Sequence, residues 1–236
     1  MKRKNSQTVY LLHGWSISQE NQQKWQIFIN ELEKKGFSPV FLNIPGLSSP
    51  LDQVWQLSDF VTWLSTQLPK EPVWLAGHSF GGQIAIKFAA KYPDRVERLI
   101  LIDSSGIRDW ALKAVIKRKV FYVVSKIGKI FFKSTLARKF IYLLARERDY
   151  LNAPPLLRRT MSLVLDEQVI KDLDKIQAPT TIFWGENDQT TPVKIGQLIK
   201  SKIKNSQLVL IEGARHSPQY THSQQLADLF LEKTKI

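Results

Sequence analysis

Short apolar runs alternate with longer stretches of helical periodicity through the first hundred residues. The apolar runs predict strands, and their nearly continuous hydrophobicity is typical of strands that are buried on both faces. These strands cover residues 8–12, 40–44, 73–76 and 96–102. The intervening stretches predict helices over residues 25–35, 55–68 and 83–92. Gly36, Pro69 and Pro93 follow these helices as stop signals.

The alternation breaks near Gly106 and resumes later. Strands are predicted over 180–184 and 208–211, and helices over 193–203 and 222–233. Residues 107–175 contain no clear strand pattern and favour several helices with basic faces. The pattern predicts an α/β fold, a mainly parallel sheet of about six strands flanked by helices, with a helical insertion between strands. We divide the chain into a core, first part (1–105), a helical cap (106–175) and a core, second part (176–236).

Length and composition indicate one globular domain. The chain has 236 residues, of which 43% are hydrophobic, and none is cysteine. No apolar run approaches the ~20 residues of a membrane-spanning helix. The basic start, Met1 to Lys4, is followed only by the apolar residues 9–12, too few for a signal peptide. We therefore expect a cytoplasmic protein without disulfides or cysteine-based metal sites.

The net charge of +13 is concentrated in the predicted cap. Residues 106–175 hold 16 basic and 7 acidic side chains, whereas each flanking part has a net charge of only +2. A basic stripe of helical spacing contains Lys119, Lys126, Lys129 and Lys133. The simplest interpretation is that these basic side chains form a solvated face. The alternatives are that they bind an anionic substrate, a membrane surface or nucleic acid. No nucleic-acid module is recognisable, and membrane contact is not favoured.

Gly77-His78-Ser79-Phe80-Gly81 is the most informative motif of the chain. It lies between a predicted strand and a predicted helix. A serine at such a sharp turn projects its hydroxyl from the backbone, and the flanking glycines allow the turn to pack. Ser79 is therefore the candidate nucleophile.

A serine nucleophile needs a base, and the base needs an orienting acid. Among the four histidines, His216 follows the last predicted strand in a loop aimed at the carboxyl edge of the sheet. The acid should lie between serine and histidine in the chain. Asp188 and Asp103 both follow strands, and we favour Asp188, which comes after the strand at 180–184.

An acyl-transfer site also needs backbone donors for the oxyanion that develops. Phe80, the residue after the nucleophile, supplies one amide. The loop His13-Gly14-Trp15 after the first strand supplies another, which we assign to Trp15. No nucleotide-binding glycine motif is present, and His216 and His222 lack helical metal-ligand spacing, so we expect neither a cofactor nor a metal.

Together these residues resemble the α/β-hydrolase superfamily. The resemblance runs through His13-Gly14, Pro45-Gly46, the elbow at 77–82, residues 184–188 and His216. It implies that the insertion is the family's helical cap. Ser79-Phe80-Gly81-Gly82 is similar to the elbow of small carboxylesterases and of carbon–carbon bond hydrolases.

The chain departs from the family pattern at three places. No opening antiparallel hairpin precedes the first strand, so we expect a six-stranded parallel sheet. The common Pro-Gly-x-Gly-x-Ser turn reads Pro45-Gly46-Leu47-Ser48-Ser49, without its second glycine, and Arg215 replaces the frequent glycine before the histidine.

The resemblance implies a serine hydrolase of small carboxylic esters, a carboxylesterase that works through an acyl-enzyme. A lactonase, a thioesterase or a hydrolase of carbon–carbon bonds in meta-cleavage-type diketones would use the same triad, and a binding protein on this fold is a remoter alternative. We expect a monomer or homodimer acting on a small molecule that could be anionic. Candidate substrate-binding residues are His13, Arg158, Arg159 and Arg215.

Overall fold

Six strands form one parallel sheet in the computed structural model, which describes residues 6–18, 20–107 and 153–234. The strands are β1 (Gln7–Leu12), β2 (Phe37–Leu42), β3 (Val73–His78), β4 (Val96–Ile102), β5 (Thr180–Gly185) and β6 (Ser206–Ile211). Their order across the sheet is β2-β1-β3-β4-β5-β6, and every neighbouring pair is parallel. The predicted fold class, including the six parallel strands, is confirmed.

The strand order reverses beside β1. The chain runs from β1 outward to the edge strand β2 and then returns to β3 on the other side of β1. Such a reversal opens a crevice at the carboxyl ends of the strands, where ligands of open α/β sheets bind. The segments that follow β1, β3, β4, β5 and β6 all begin at this edge.

Helices cover both faces of the sheet. They are α1 (Asn21–Lys34), α2 (Leu57–Gln67), α3 (Phe80–Lys91), α4 (Pro155–Asp166), α5 (Val193–Lys202), α6 (Pro218–Thr221) and α7 (Ser223–Thr234). One core contains α2, α3, α4 and α5, with Phe60, Ile84 and Ile195 among its buried side chains. The other contains α1 and α7, with Trp25 and Phe230. This two-sided burial is the reason that the strands read as continuous apolar runs.

Several element boundaries differ from the sequence prediction. β2 begins three residues before the predicted strand and includes Pro39, which an edge strand tolerates because one side of it needs no ladder hydrogen bond. α3 begins at Phe80 instead of residue 83, and the short helix α6 was not predicted. Glycine is a poor helix former, and tertiary contacts outweigh that preference at the start of α3, whereas Pro218 stands in the first turn of α6, where proline is well accommodated.

Helix α4 belongs to the predicted cap and is tied to the core. The Oγ1 of Thr160 accepts a hydrogen bond from the Trp55 amide at 3.1 Å. Beyond α4, Lys87 of α3 forms ion pairs with Glu167 at 3.1 Å and with Asp172 at 3.0 Å. The remaining cap residues, 108–152, including the four lysines of the basic stripe, lie outside the described residues, so the division into core and cap stays a prediction. In the described ranges, no helix has the length and apolar character needed to span a membrane.

We predict that Gly81→Ala destabilises the protein by about 2 kcal/mol or more. A Cβ on Gly81 would lie 2.4 Å from the Leu12 carbonyl oxygen, which is backbone and cannot move aside. Urea unfolding followed by circular dichroism measures the change. Gly36→Ala is the comparison, because a Cβ there meets no atom within 4 Å and only the φ of +86° opposes it. Gly36→Ala should cost roughly 1–2 kcal/mol, and an equal or smaller loss for Gly81→Ala would contradict the packing argument.

Candidate active site

Ser79 occupies a strained turn between β3 and α3. Its φ of 50° and ψ of −115° are unusual for a residue other than glycine. Backbone hydrogen bonds hold this conformation. The Ser79 amide donates to the Ile102 carbonyl at 3.0 Å, and the Ser79 carbonyl accepts from the amides of Gln83 at 3.1 Å and Ser105 at 3.0 Å. The turn therefore fixes the direction of the Ser79 hydroxyl.

The structure brings Ser79, His216 and Asp188 into one hydrogen-bonded row. The Nε2 of His216 lies 3.0 Å from the Ser79 Oγ, and its Nδ1 lies 2.8 Å from the Asp188 Oδ2. A carboxylate only accepts hydrogen bonds, so Nδ1 carries the proton and Nε2 is free to accept the serine proton. This is the arrangement of a nucleophile, a base and an orienting acid.

Asp188 is held as a carboxylate by several donors. The amides of Thr190 and Thr191 donate to its Oδ1 at 2.7 and 3.0 Å, and the Thr191 hydroxyl donates to its Oδ2 at 2.6 Å. Burial acts to raise the pKa of Asp188, but the hydrogen bond and charge of His216 and the Thr191 donors outweigh burial and lower that pKa. The indole of Trp184 donates to the Thr191 carbonyl at 2.8 Å and so anchors this loop.

His78 supports the loop that carries His216. Its Nε2 donates to the His216 carbonyl oxygen at 2.7 Å, and the two imidazole rings lie 5.1 Å apart. Burial, and then the positive charge that His216 can carry, lower the pKa of His78 to about 3. His78 therefore stays neutral and fixes the histidine backbone without adding a charge.

Asp103, the rival acid, faces the same site but does not contact His216 through a hydrogen bond. It is fully buried, with a φ of 42°, and its Oδ1 accepts from the Gly185 amide at 2.8 Å. Its Oδ2 has no hydrogen-bond partner among the described residues. Burial raises the pKa of Asp103 to about 8, and the nearby Asp188 carboxylate contributes to that rise. Asp103 is consequently protonated at neutral pH.

The two predicted oxyanion donors belong to the serine turn and to the loop after β1, which are adjacent: a Cβ on Gly14 would lie 3.1 Å from the Ser79 Cβ. Phe80 opens α3, and the first amides of a helix have no acceptor within the helix. In the part of the chain that the structure describes, no group accepts a hydrogen bond from the Trp15 amide. The Trp15 and Phe80 rings pack edge to face with centroids 5.2 Å apart, which holds the two loops together. The assignment of these two amides as oxyanion donors stays a prediction.

The candidate substrate-binding residues differ in their exposure. His13 is 1% exposed, and both of its ring nitrogens contact protein atoms. Arg158 and Arg159 lie on the exposed face of α4, and Arg215 is also exposed. The positive charge of the exposed arginines attracts anions, and the substrate-binding role of all four residues stays a prediction.

No metal or cofactor is assigned to this site. His78, Asp103 and His216 bring ligand atoms within 4.8 Å of one another. Both nitrogens of His216 are occupied by Ser79 and Asp188, and the Nε2 of His78 is occupied by a carbonyl. A metal ion there would break the hydrogen bonds that orient His216.

Sequence reasoning missed two residues that organise the site, Thr191 and His78. Thr191 lies three residues after Asp188, and threonine in such a position commonly bonds a nearby side chain or backbone group. His78 stands inside the elbow, where the local sequence gives no sign of its partner. Only the meeting of β3 with the loop after β6, which are 138 residues apart, shows its partner.

We predict that the stability of Asp103→Asn, relative to that of the wild type, rises as the pH goes from about 5 to about 8. Between its unfolded pKa near 3.8 and its folded pKa of about 8, Asp103 is protonated only in the folded protein, so wild-type stability falls with rising pH. Asparagine is neutral throughout and removes this loss. Each pH unit inside this window corresponds to about 1.4 kcal/mol, so over about three units the variant should gain up to about 4 kcal/mol of unfolding free energy relative to the wild type. Urea unfolding at both pH values measures it, and a difference that does not change with pH would contradict a protonated Asp103.

Comparison with known proteins agrees with this geometry. The model of the alpha/beta hydrolase family matches residues 9–229. The AB hydrolase superfamily protein YisY of Bacillus subtilis is 26% identical, over 95% of this chain and 90% of its own length. A pimeloyl-[acyl-carrier protein] methyl ester esterase of Neisseria meningitidis is 25% identical, over 94% and 91%. A 2-hydroxy-6-oxononadienedioate/2-hydroxy-6-oxononatrienedioate hydrolase of Pseudomonas putida is 25% identical, over 92% and 84%. The chain belongs to the alpha/beta hydrolase family.

Proposed function

We propose that this hydrolase cleaves small carboxylic esters through an acyl-enzyme on Ser79. The observation that carries the proposal is the row of hydrogen bonds from Ser79 through His216 to Asp188, at 3.0 and 2.8 Å. An activated serine needs this geometry, whereas a binding protein on the same fold does not.

In the proposed reaction, the Ser79 Oγ attacks the ester carbonyl carbon while the Nε2 of His216 takes the serine proton. The carbonyl oxygen becomes an oxyanion and accepts hydrogen bonds from the Trp15 and Phe80 amides. His216 then gives its proton to the departing alcohol, which leaves an acyl-enzyme. A water molecule attacks that ester by the same route and releases the acid, and Asp188 stabilises the imidazolium in both halves.

The surroundings of the serine favour a substrate with an apolar part. Trp15, beside the serine turn, and Trp55 are partly exposed aromatic side chains, and the buried rings of Phe80 and Phe60 join them, with successive centroids 5.0–5.2 Å apart. Trp55 in turn contacts α4 through Thr160. The excess positive charge of residues 106–175 supports a substrate that also carries a negative group. An ester with an apolar chain and a carboxylate at one end combines both features.

Hydrolysis of a carbon–carbon bond in a meta-cleavage-type dienoate is the second candidate. It is favoured by the similarity to the Pseudomonas putida hydrolase, which is as close as the similarity to the methyl ester esterase. Lactones and thioesters present the same carbonyl to the same residues. A series of p-nitrophenyl esters assayed beside a dienoate separates the candidates. We expect the largest kcat/KM for an ester, and a dienoate that exceeds every ester would reverse the ranking.

We predict that a fluorophosphonate labels the protein once, at Ser79. The reagent requires an activated serine, and Ser79→Ala removes the only hydroxyl that contacts His216 Nε2 in the described residues. Intact-mass and peptide mass spectrometry measure the label. Ser105→Ala is the matched control, because Ser105 lies near the turn and its hydroxyl points to Gln83 instead. Labelling that persists in Ser79→Ala would show that another residue is the nucleophile.

We predict that Asp188→Asn lowers kcat by roughly 10³- to 10⁴-fold, because an amide favours the wrong imidazole tautomer. Asp103→Asn should lower kcat far less, since it replaces a protonated carboxyl by a neutral group that can still accept from the Gly185 amide. Steady-state kinetics on one ester compares the two variants, with circular dichroism as a check on folding. A larger loss in Asp103→Asn would assign the orienting acid to Asp103.

A further inference from the structure

Ser48 stands where the family's common turn has its second glycine, and its hydroxyl reaches the loop after β1. The Ser48 Oγ lies 2.5 Å from the Nε2 of His13. Ser48 is half-buried in the turn after β2, whereas His13 is buried at the end of β1. The contact joins two loops that are separated by 35 residues in the chain.

The partners of His13 determine its tautomer. Its Nδ1 lies 2.8 Å from the carbonyl oxygen of Gly14, and a carbonyl can only accept, so Nδ1 carries the hydrogen. Its Nε2 lies 3.4 Å from the Ile44 amide, which can only donate, so Nε2 has a free lone pair. Both neighbours require the same neutral tautomer. Ser48 is therefore the donor to His13.

The hydrogen bonds from Ser48 to His13 and from His13 to the Gly14 carbonyl end at the Gly14–Trp15 peptide, which carries one of the proposed oxyanion donors. The Gly14–Trp15 peptide is planar and trans, so the Gly14 carbonyl and the Trp15 amide point in opposite directions. His13 holds the carbonyl on one side of this peptide. The amide of Trp15 is consequently directed to the other side.

We propose that Ser48 is a positioning residue for the oxyanion site and acts through His13 and the Gly14–Trp15 peptide. The inference rests on the proposed function, because it concerns the same carbonyl oxygen. In the described residues, the Ser48 hydroxyl contacts His13 and Asn21 and has no hydrogen bond with Ser79. Its hydroxyl fixes the His13 ring, and the ring fixes the peptide.

Neighbouring groups keep this arrangement in place. The Asn21 Nδ2 donates to the Ser16 carbonyl at 2.7 Å and, more weakly, to the Ser48 Oγ at 3.4 Å, which directs the serine hydrogen towards His13. The Phe41 ring stacks on the His13 ring with centroids 5.3 Å apart. Burial lowers the pKa of His13 to about 4, so the ring stays neutral at the pH of an assay.

The test compares Ser48→Ala with Ser49→Ala. Ser49 belongs to the same turn, but its hydroxyl contacts the Asn43 carbonyl and not His13. Each variant is assayed with a p-nitrophenyl ester and with its thionoester, whose sulfur is a weak hydrogen-bond acceptor. The rate of fluorophosphonate labelling is measured in parallel, and urea unfolding reports stability.

Ser48→Ala should lower kcat for the oxygen ester by about tenfold, less than the ~10²- to 10³-fold loss on removing an oxyanion donor outright. KM should change less than kcat. The ratio of kcat/KM for the oxygen ester to kcat/KM for the thionoester should fall. A misaligned Trp15 amide affects mainly the carbonyl oxygen, which is the stronger hydrogen-bond acceptor. The labelling rate should fall as well. Ser49→Ala should match the wild type, and Ser48→Thr, which keeps the hydroxyl, should recover most of the loss.

If Ser48→Ala leaves the ratio of the two kcat/KM values unchanged, with or without a loss of stability, the proposal is overturned. A merely structural role would lower kcat/KM for both substrates by the same factor. Failure of the wild type to react with the fluorophosphonate at Ser79 would instead contradict the proposed function. The two failures are therefore distinguishable.

Discussion

The turn at Ser79 is the constraint on which the rest of the site depends. A residue other than glycine at φ 50° costs on the order of 1–3 kcal/mol and persists only when its surroundings over-determine it. Three backbone hydrogen bonds from β4, α3 and the loop after β4 supply that support. These partners lie at the carboxyl edge of the sheet, next to the turn. The same edge therefore holds both the serine hydroxyl and the loops that face it.

The buried site contains one carboxylate and little other charge. Burial keeps His13 and His78 neutral and keeps Asp103 protonated, whereas the donors around Asp188 preserve its negative charge. A single carboxylate facing His216 suits a base that becomes positive during the reaction, because the charge that develops has one compensating partner. If Asp103 were also ionised, two buried negative charges would compete for the same imidazole.

Three sets of contacts hold the loops that carry Trp15, Asp188 and His216. The His13 contacts join the loops after β1 and β2 and orient the Gly14–Trp15 peptide. Thr191 and Trp184 hold the Asp188 loop, and His78 holds the His216 loop. Each of these loops at the carboxyl edge thus has a support of its own, and the distances among Ser79, His216 and Asp188 depend on these supports.

The sequence by itself determined the fold class, the six parallel strands and the candidate Ser79, Asp188 and His216. These conclusions rest on local signals: apolar runs buried on both faces, a serine between two glycines at a strand end, and an acid and a histidine after later strands. Asp188 and Asp103 both follow strands, and the tertiary structure shows that the favoured Asp188 contacts His216, whereas Asp103 accepts from the Gly185 amide. The tertiary structure also decided that His13 and His78 are buried supports, because their partners are 35 and 138 residues away. Hydrogen bonds between distant loops depend on strand order and register, which no local pattern specifies.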